Sequence, residues 1–155
     1  MERLVAVKSS KEYKIAISLF KEYALQLGVD LSFQNFNQEL QNIEQQYAKP
    51  NGVLYIVFDN NEKAIGCFGI RMFEDAICEL KRMYVNKNYR GQGLGKRLLI
   101  KSIEVGKELG YKKMRLDTLP TMKAAIGLYK KTGFYEIPAY RFNPIEGIKY
   151  FEMAL

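Results

Sequence analysis

A glycine-rich segment between a strand and a helix constrains this chain more than any other feature. The segment is Arg90-Gly91-Gln92-Gly93-Leu94-Gly95, and it follows a strand-like run that ends at Val85. Backbone N–H groups at a helix start have no partner inside the helix, and the helix dipole favours negative charge there. Glycines leave the backbone open to close approach, and Arg90 and Lys96 add cationic donors. The segment predicts an anion site, with a tight turn that binds nothing as the alternative.

Two known nucleotide-binding motifs resemble this segment, but neither matches its spacing. The Walker loop requires four residues between its glycines, followed by Lys and then Ser or Thr. Here the spacing before Gly95-Lys96 is wrong, and Arg97 follows. The dinucleotide fingerprint requires its third glycine where this chain has Lys96.

The surrounding elements are predicted from hydrophobic spacing and turn residues. The expected strands are Arg3–Val7, Val53–Phe58, Ala64–Phe73, Ile77–Val85, Lys113–Thr118, Phe134–Ile137 and Ile148–Met153. Four helices are expected. The first begins after Ser9 or Ser10 and ends at Leu27, and the second follows the apolar stripe Phe33, Phe36, Leu40, Ile43 and Tyr47. The third runs from the glycine segment to Leu109, and the fourth spans Met122–Lys131.

This order, β-α-α-β-β-β-α-β-α-β-β, predicts an α/β fold of the α+β type. Its sheet is expected to be mixed, mostly antiparallel and flanked by helices. The strand Lys113–Thr118 must lie roughly parallel to Ile77–Val85, since a helix separates them. Residues 1–155 are expected to form a single domain.

The composition narrows the chemistry. The sequence contains no His, which removes Ser-His and Cys-His pairs and the commonest metal ligand. Cys67 and Cys78 are too few for a Cys-rich zinc site, and we expect them to be reduced core residues of a cytosolic protein. No metal is therefore expected. A cytoplasmic location without membrane association is also expected, because no secretory signal and no membrane-length apolar run is visible.

The formal net charge of +7 favours an anionic partner. Nucleic acid and a cofactor with several phosphates are the two candidates. The Lys and Arg residues are scattered, and no nucleic-acid recognition motif is present. Nucleic acid is therefore not the expected partner.

Three segments resemble the GNAT superfamily of N-acetyltransferases. Arg90-x-x-Gly93-x-Gly95 matches the family's Arg/Gln-x-x-Gly-x-Gly/Ala signature. The strand Cys78–Val85 is similar to the family's fourth strand, and Ala125–Phe134 resembles its A-x-x-L-Y-x-x-x-G-F segment. The element order also agrees, so the resemblance spans most of the chain apart from the first two helices.

The resemblance implies transfer of an acetyl group from acetyl-CoA to a primary amine by direct attack. Acetyl-CoA would lie in a V-shaped cleft between the strands that end at Val85 and Thr118. Loop amides would hold the pyrophosphate, and strand main-chain groups would pair with the pantetheine and polarise the thioester carbonyl. The implied cofactor-binding residues are Met83, Tyr84, Val85, Arg90, Gly91, Gln92, Gly93, Leu94, Gly95 and Lys96.

The family also implies two proton-transfer residues. Glu79 matches the position of a common GNAT base, and Tyr129 matches the acid near the CoA sulfur. The alternatives are a strand carboxylate paired with Lys81 or a neighbouring strand, and a half-buried aromatic residue. Lys81 and Arg82 are expected to be solvated or to face the cofactor.

One position departs from the family pattern. Many members have Asn seven residues before the Tyr, where this chain has Met122. The acceptor is expected to be a small-molecule or peptide amine, and a homodimer is left open. A CoA-sensing module without catalysis, or an anion- or nucleic-acid-binding module, is the alternative function.

Overall fold

Seven strands form one mixed sheet at the centre of the described residues. The structure is a computed structural model that describes residues 2–28, 30–31 and 35–155. The sheet order is β1-β2-β3-β4-β5-β7-β6, and every neighbouring pair is antiparallel except β4–β5. The strands are β1 (Arg3–Ala6), β2 (Val53–Phe58), β3 (Ala64–Glu74), β4 (Ile77–Val85), β5 (Lys113–Thr118), β6 (Tyr135–Ile137) and β7 (Lys149–Ala154). The predicted fold class and the parallel β4–β5 pair are confirmed.

Five α-helices and one short 3₁₀ turn (Lys87–Tyr89) accompany the sheet in the part of the chain that the structure describes. The helices are α1 (Ser10–Leu27), α2 (Phe36–Gln41), α3 (Ile43–Gln46), α4 (Leu94–Glu108) and α5 (Lys123–Thr132). Within residues 2–28, 30–31 and 35–155, no helix has the length and apolar character needed to cross a bilayer.

Helix α1 begins and ends where the sequence predicts. Ser9 and Glu12 form a capping box, in which the Ser9 hydroxyl accepts from the Glu12 N–H and the Glu12 carboxylate accepts from the Ser9 N–H. Gly28 ends the helix in the left-handed conformation, with φ of +67°. Local capping therefore fixes both ends of α1, the helix that forms one wall of the candidate site described below.

The predicted second helix is two short helices. Asn42 interrupts it with non-helical backbone angles, and its side-chain amide donates to the Gln38 carbonyl oxygen at 3.1 Å. A side chain that bonds to nearby backbone offers the chain an alternative to the helix. The predicted stripe continues through the break, because Ile43 and Tyr47 are both buried. Its first member, Phe33, lies outside the described residues.

Apolar side chains fill both faces of the sheet. One core packs β4 and β5 against α4 and α5 and includes the fully buried Leu98 and Met114. The other packs β2 against α1 and α3 and includes the fully buried Phe20 and Ile56. Each such side chain contributes roughly 1.5–3 kcal/mol. The helices α1–α3 therefore cover one face, and α4 and α5 cover the other.

Strand β4 carries a β-bulge at Arg82. Two residues of β4 stand opposite one residue of β3 between the pairs Cys67–Tyr84 and Gly69–Lys81. Arg82 has φ of +56°, a left-handed conformation that is costly for a residue other than glycine. Such strain persists where the surrounding structure holds it in place.

The bulge changes which side of the sheet each β4 side chain occupies. Before it, Cys78 and Leu80 belong to the core under α4, whereas after it Tyr84 belongs to the core under α1. Strict alternation would have kept all three on one face. Because of the extra residue, Arg82 lies on the α1–α3 side, as Lys81 does.

Strands β4 and β5 separate soon after they meet. They pair only between Ile77–Glu79 and Lys113–Arg115, although β4 continues to Val85 and β5 to Thr118. The divergence opens the sheet in its middle, at the level of the bulge.

Candidate active site

A cleft of about 510 Å³ lies where β4 and β5 diverge. Its walls come from α1, the end of β4, the glycine-rich loop and the start of α5. The predicted cofactor-binding residues in its lining are Met83, Tyr84, Val85, Arg90, Gly91 and Gly95. The predicted residues outside its lining are Gln92, Gly93, Leu94 and Lys96. The structure thus brings the strand and loop parts of the predicted cofactor site to one cleft.

The glycine-rich loop has the backbone geometry of an anion cradle. Gly91 and Gly93 have φ of +78° and +80°, and no atom lies within 4 Å of where a Cβ would be. Helix α4 begins immediately afterwards, and the buried Leu94 side chain anchors its first turn in the core. The N–H groups of that turn have no partners inside the helix. Of the four predicted residues outside the cleft lining, Leu94 is buried in the core and Gly93 precedes the first turn of α4.

Arg90 connects the glycine-rich loop by hydrogen bonds to β4 and to α1, which form two other walls of the cleft. Its Nε donates to the Val85 carbonyl oxygen at 2.9 Å, and its Nη2 donates to Gln26 Oε1 at 2.5 Å. A carbonyl oxygen has two lone pairs. Val85 therefore keeps one acceptor position beyond the one that Arg90 uses.

The predicted base, Glu79, is a buried carboxylate with several partners. It accepts hydrogen bonds from Arg71 at 3.4 Å, from the Tyr140 hydroxyl at 2.9 Å, and from Arg141. Burial alone would raise the pKa of Glu79, but the positive charges of Lys81, Arg141 and Arg71 hold it below its usual value. Glu79 is therefore ionised at neutral pH.

Glu79 does not line the cleft. It lies beside a separate, polar cavity of about 570 Å³, together with Arg71, Arg141 and Gln46. Its contact with Arg71 of β3 is the neighbouring-strand pairing that the sequence offered as the alternative.

The expectation that Lys81 and Arg82 are solvated is wrong, and neither residue lines the cleft. They are only 4% and 6% exposed: alternation after Leu80 places Lys81 toward the layer of α1–α3, and the bulge turns Arg82 to the same side. Arg82 binds Glu39 through Nε at 3.2 Å and Nη2 at 2.7 Å. Burial lowers the pKa of Lys81 to about 8, although the charge of Glu79 opposes the change.

The predicted acid, Tyr129, is a buried residue of α5. Its ring packs against Phe134 and Phe151, with centroid distances of 5.8 and 6.2 Å. Its helix neighbours Ala125 and Leu128 line the cleft, whereas Tyr129 itself does not. Burial raises the pKa of Tyr129, so the hydroxyl stays protonated well above neutral pH.

Tyr23 is expected from the sequence only as a core or cleft-wall residue, and the other polar residues of this region have no role predicted. Tyr23 lines the cleft from α1, and Tyr140 and Arg141 reach Glu79 from the loop between β6 and β7. Asp117 lies on the polar face of β5, where polar and apolar residues alternate, and this alternation is the signal in the sequence that could have indicated it. Met122 lines the cleft at the position where many GNAT proteins have Asn.

Comparison with known sequences decides the family. The sequence pattern described as "Acetyltransferase (GNAT) family" matches residues 17–134. The chain belongs to the GNAT acetyltransferase family. The resemblance predicted from the glycine-rich segment is therefore confirmed, and so is the prediction of an acyltransferase.

Relatives and solved structures agree with this GNAT assignment. An uncharacterized N-acetyltransferase of Schizosaccharomyces pombe (strain 972) is 36% identical over 151 residues, covering 97% of this chain and 93% of the relative. A GNAT-family acetyltransferase from Staphylococcus aureus Mu50 has a TM-score of 0.80 at 23% identity, covering 99% of both chains. A GNAT family acetyltransferase from Elizabethkingia anophelis, solved with acetyl-CoA bound, has a TM-score of 0.72 at 22% identity, covering 99% of this chain and 98% of that chain. The two structures establish the GNAT fold.

Proposed function

We propose that this GNAT protein transfers an acetyl group from acetyl-CoA to a primary amine on a small molecule or peptide, in the cytoplasm. The observation that carries the proposal is the glycine-rich loop, which opens α4 at the wall of a cleft that reaches the β4–β5 divergence. An anion bound at the start of α4 places the rest of its molecule in that cleft. Acetyl-CoA has the pyrophosphate and the length for this arrangement.

The first step of the proposal is cofactor binding. Backbone N–H groups from Arg90 to Lys96 hold the pyrophosphate, and main-chain groups of Met83 and Val85 pair with the pantetheine. The sheet is open on this side of β4, because β5 has already diverged. One of the exposed β4 amides polarises the thioester carbonyl.

The second step is direct attack by the amine nitrogen. The ammonium form first loses a proton to Glu79, which is ionised and can accept it, directly or through water. The N–C bond then forms as the C–S bond breaks, and Tyr129 supplies the proton that the leaving sulfur takes. The second proton lost by the nitrogen replaces the proton given by Tyr129, so one proton is released per turnover.

Gly93→Glu should abolish the rise in melting temperature that acetyl-CoA produces. A ligand that binds only the folded state stabilises it by mass action, and the new carboxylate would occupy the phosphate cradle. The measurement is thermal unfolding with and without acetyl-CoA.

Gly110→Glu is the matched control for this experiment. Gly110 follows the other end of α4, also has positive φ (+92°), and no atom lies within 4 Å of where its Cβ would be. Both variants should lose some stability through backbone strain, but only Gly93→Glu should lose the response to the cofactor. A Gly93→Glu protein that responds as the wild type does would overturn the loop assignment.

Glu79→Gln should lower the rate at neutral pH by about 10²-fold, the lower end of general-base effects, because an arginine-bound carboxylate is a weak base. The pKa of Glu79 is lowered, so the wild-type base is available at neutral pH. Activity of the variant should partly recover at alkaline pH, where free amine is commoner. The measurement is the pH–rate profile with an amine chosen from a panel by thiol release.

Glu152→Gln provides a matched control for loss of a buried carboxylate. Glu152 is also bound by an arginine and a tyrosine, with Arg115 Nε at 2.7 Å and the Tyr135 hydroxyl at 2.5 Å. Its variant should keep the wild-type profile. If Glu79→Gln keeps that profile as well, another group accepts the proton.

A further inference from the structure

A small cavity lies beside the cleft on the α1 side of the β4–β5 divergence. Its volume is about 40 Å³, and Tyr23, Leu27 and Leu119 line both it and the cleft. The remaining lining comes from Arg82 of β4, from Leu31 after α1, from the end of β5 and from the loop between β6 and β7, including Ile145. The cavity is therefore reached from the side of the sheet opposite α4.

Asp117 of β5 is the carboxylate in this cavity. Met114 and Leu116 of the same strand belong to the core under α4, so alternation places Asp117 on the opposite face. Its Oδ2 is buried and has no hydrogen-bond partner among the described residues. Buried polar atoms in native proteins are almost always paired, and an exception requires an explanation.

Among the described residues, no cation near Asp117 lies within ion-pair distance of it. Arg82 also lines the cavity, but its Nε and Nη2 both donate to Glu39. Arg141 binds Glu79 instead. Lys81 and Asp117 attract each other across the diverging strands, yet no ion pair within 4.0 Å joins Asp117 to any residue that the structure describes.

Asp117 is also electrostatically coupled to the proposed acid. Burial is the main cause that raises the pKa of Tyr129, and the nearby Tyr23 and Asp117 add to the effect. The geometric link to the cleft is the shared lining, since Tyr23, Leu27 and Leu119 border both the cleft and the cavity that contains Asp117.

We propose that Asp117 binds the ammonium group of the acceptor, and that the acceptor is a primary amine on an unbranched carbon. The inference rests on the proposed acetyl transfer and names the chemistry of its acceptor. A cation that leaves water needs a countercharge, and the unpaired Oδ2 atom needs a donor. A cavity of about 40 Å³ is on the scale of an ammonium group with one methylene, so a branch on that carbon is expected to fit less well.

In this arrangement Asp117 positions the nitrogen while another group removes the proton. An ammonium group has three N–H bonds. One proton leaves to the base, and a second N–H remains hydrogen-bonded to Asp117, which fixes the direction of the lone pair. Substitution of Asp117 should therefore weaken acceptor binding, whereas substitution of the base should change the pH dependence of the rate.

The test compares Asp117→Asn with the wild type on propylamine, putrescine and benzylamine, with isopropylamine as the branched probe. Removing one charge-assisted hydrogen bond should raise KM for the unbranched amines by about 10- to 100-fold. The Kd for acetyl-CoA should not change, and kcat should change much less than KM. Wild-type activity on isopropylamine should be at least tenfold below that on propylamine.

Two further variants separate binding from folding. Asp75→Asn removes an exposed carboxylate in the turn between β3 and β4 and should leave every constant unchanged. Asp117→Leu removes the buried unpaired atom, so its Tm should equal or exceed that of the wild type while the unbranched amines lose affinity. A lower Tm in both Asp117 variants with unchanged KM would assign Asp117 a purely structural role and overturn the inference.

Failure of the proposed function has a different signature. If the wild type acetylates none of the four amines and binds none of them in the presence of CoA by calorimetry, both the proposed reaction and the role of Asp117 are overturned. If the wild type acetylates propylamine and Asp117→Asn does so with the same KM, the acetyl transfer stands and only the inference on Asp117 is overturned.

Discussion

Tyr129→Phe should lower kcat by about 10²- to 10⁴-fold, the usual contribution of a general acid, while the affinity for acetyl-CoA changes little. The substitution keeps the ring and its contacts with Phe134 and Phe151, so packing is retained. It removes only the hydroxyl, which is the proposed proton donor to the leaving sulfur. The measurements are steady-state kinetics with an amine acceptor and the equilibrium Kd for acetyl-CoA.

Tyr111→Phe is the matched control for that experiment. Tyr111 and Tyr129 are both 7% exposed, but the Tyr111 hydroxyl donates to the Asn51 carbonyl oxygen, outside the lining of the cleft. Its variant should keep normal kcat. Weak acetyl-CoA binding with normal kcat in Tyr129→Phe would make Tyr129 a packing or binding residue and reject the acid role.

Arg82→Met should lower the free energy of unfolding by about 3–5 kcal/mol, because it leaves the carboxylate of Glu39 buried without its counterion. The two side chains are 4% and 2% exposed. Tyr47 adds a third contact, since its hydroxyl donates to Glu39 Oε2 at 2.7 Å. Methionine keeps a Cβ at the strained φ, so backbone strain is unchanged. Urea denaturation measures the difference.

Arg3→Met tests the same change in a solvent-exposed pair. Arg3 and Glu62 are 2.5 Å apart, but their side chains are 54% and 70% exposed. Such pairs contribute about 0–1 kcal/mol, so the variant should be almost as stable as the wild type. A loss below about 1 kcal/mol in Arg82→Met would show that water or another group satisfies Glu39.

Much of the fold could be predicted from the sequence because its signals are local. Ser9 and Gly28 cap α1 through neighbours in the chain, and Gly133 ends α5 in the same left-handed way as Gly28. The break at Asn42 could not be predicted, because the apolar stripe continues on both sides of it. Hydrophobic periodicity indicates which face of a helix is buried, but it does not indicate where the helix is interrupted.

In the candidate site, too, features formed within one segment could be predicted from the sequence, whereas contacts between distant segments could not. The position of the glycine-rich loop between β4 and α4 could be predicted because all of its residues lie within one segment, whereas its role as an anion site remains a prediction. The partners of Glu79 could not, since Arg71 and Arg141 meet it from a neighbouring strand and a distant loop. The burial of Arg82 depends on a bulge at a positive φ, which no residue type in the sequence marks. The roles of Glu79 and Tyr129 remain predictions.

We expect the wall shared by the cleft and the small cavity to link the two proposed binding equilibria. Tyr23, Leu27 and Leu119 line both, so a ligand that orders these side chains in one cavity also orders them for the other. Side-chain entropy lost on the first binding event need not be lost again on the second. Linkage is reciprocal, so an acceptor that orders this wall strengthens cofactor binding by the same factor as the cofactor strengthens binding of the acceptor.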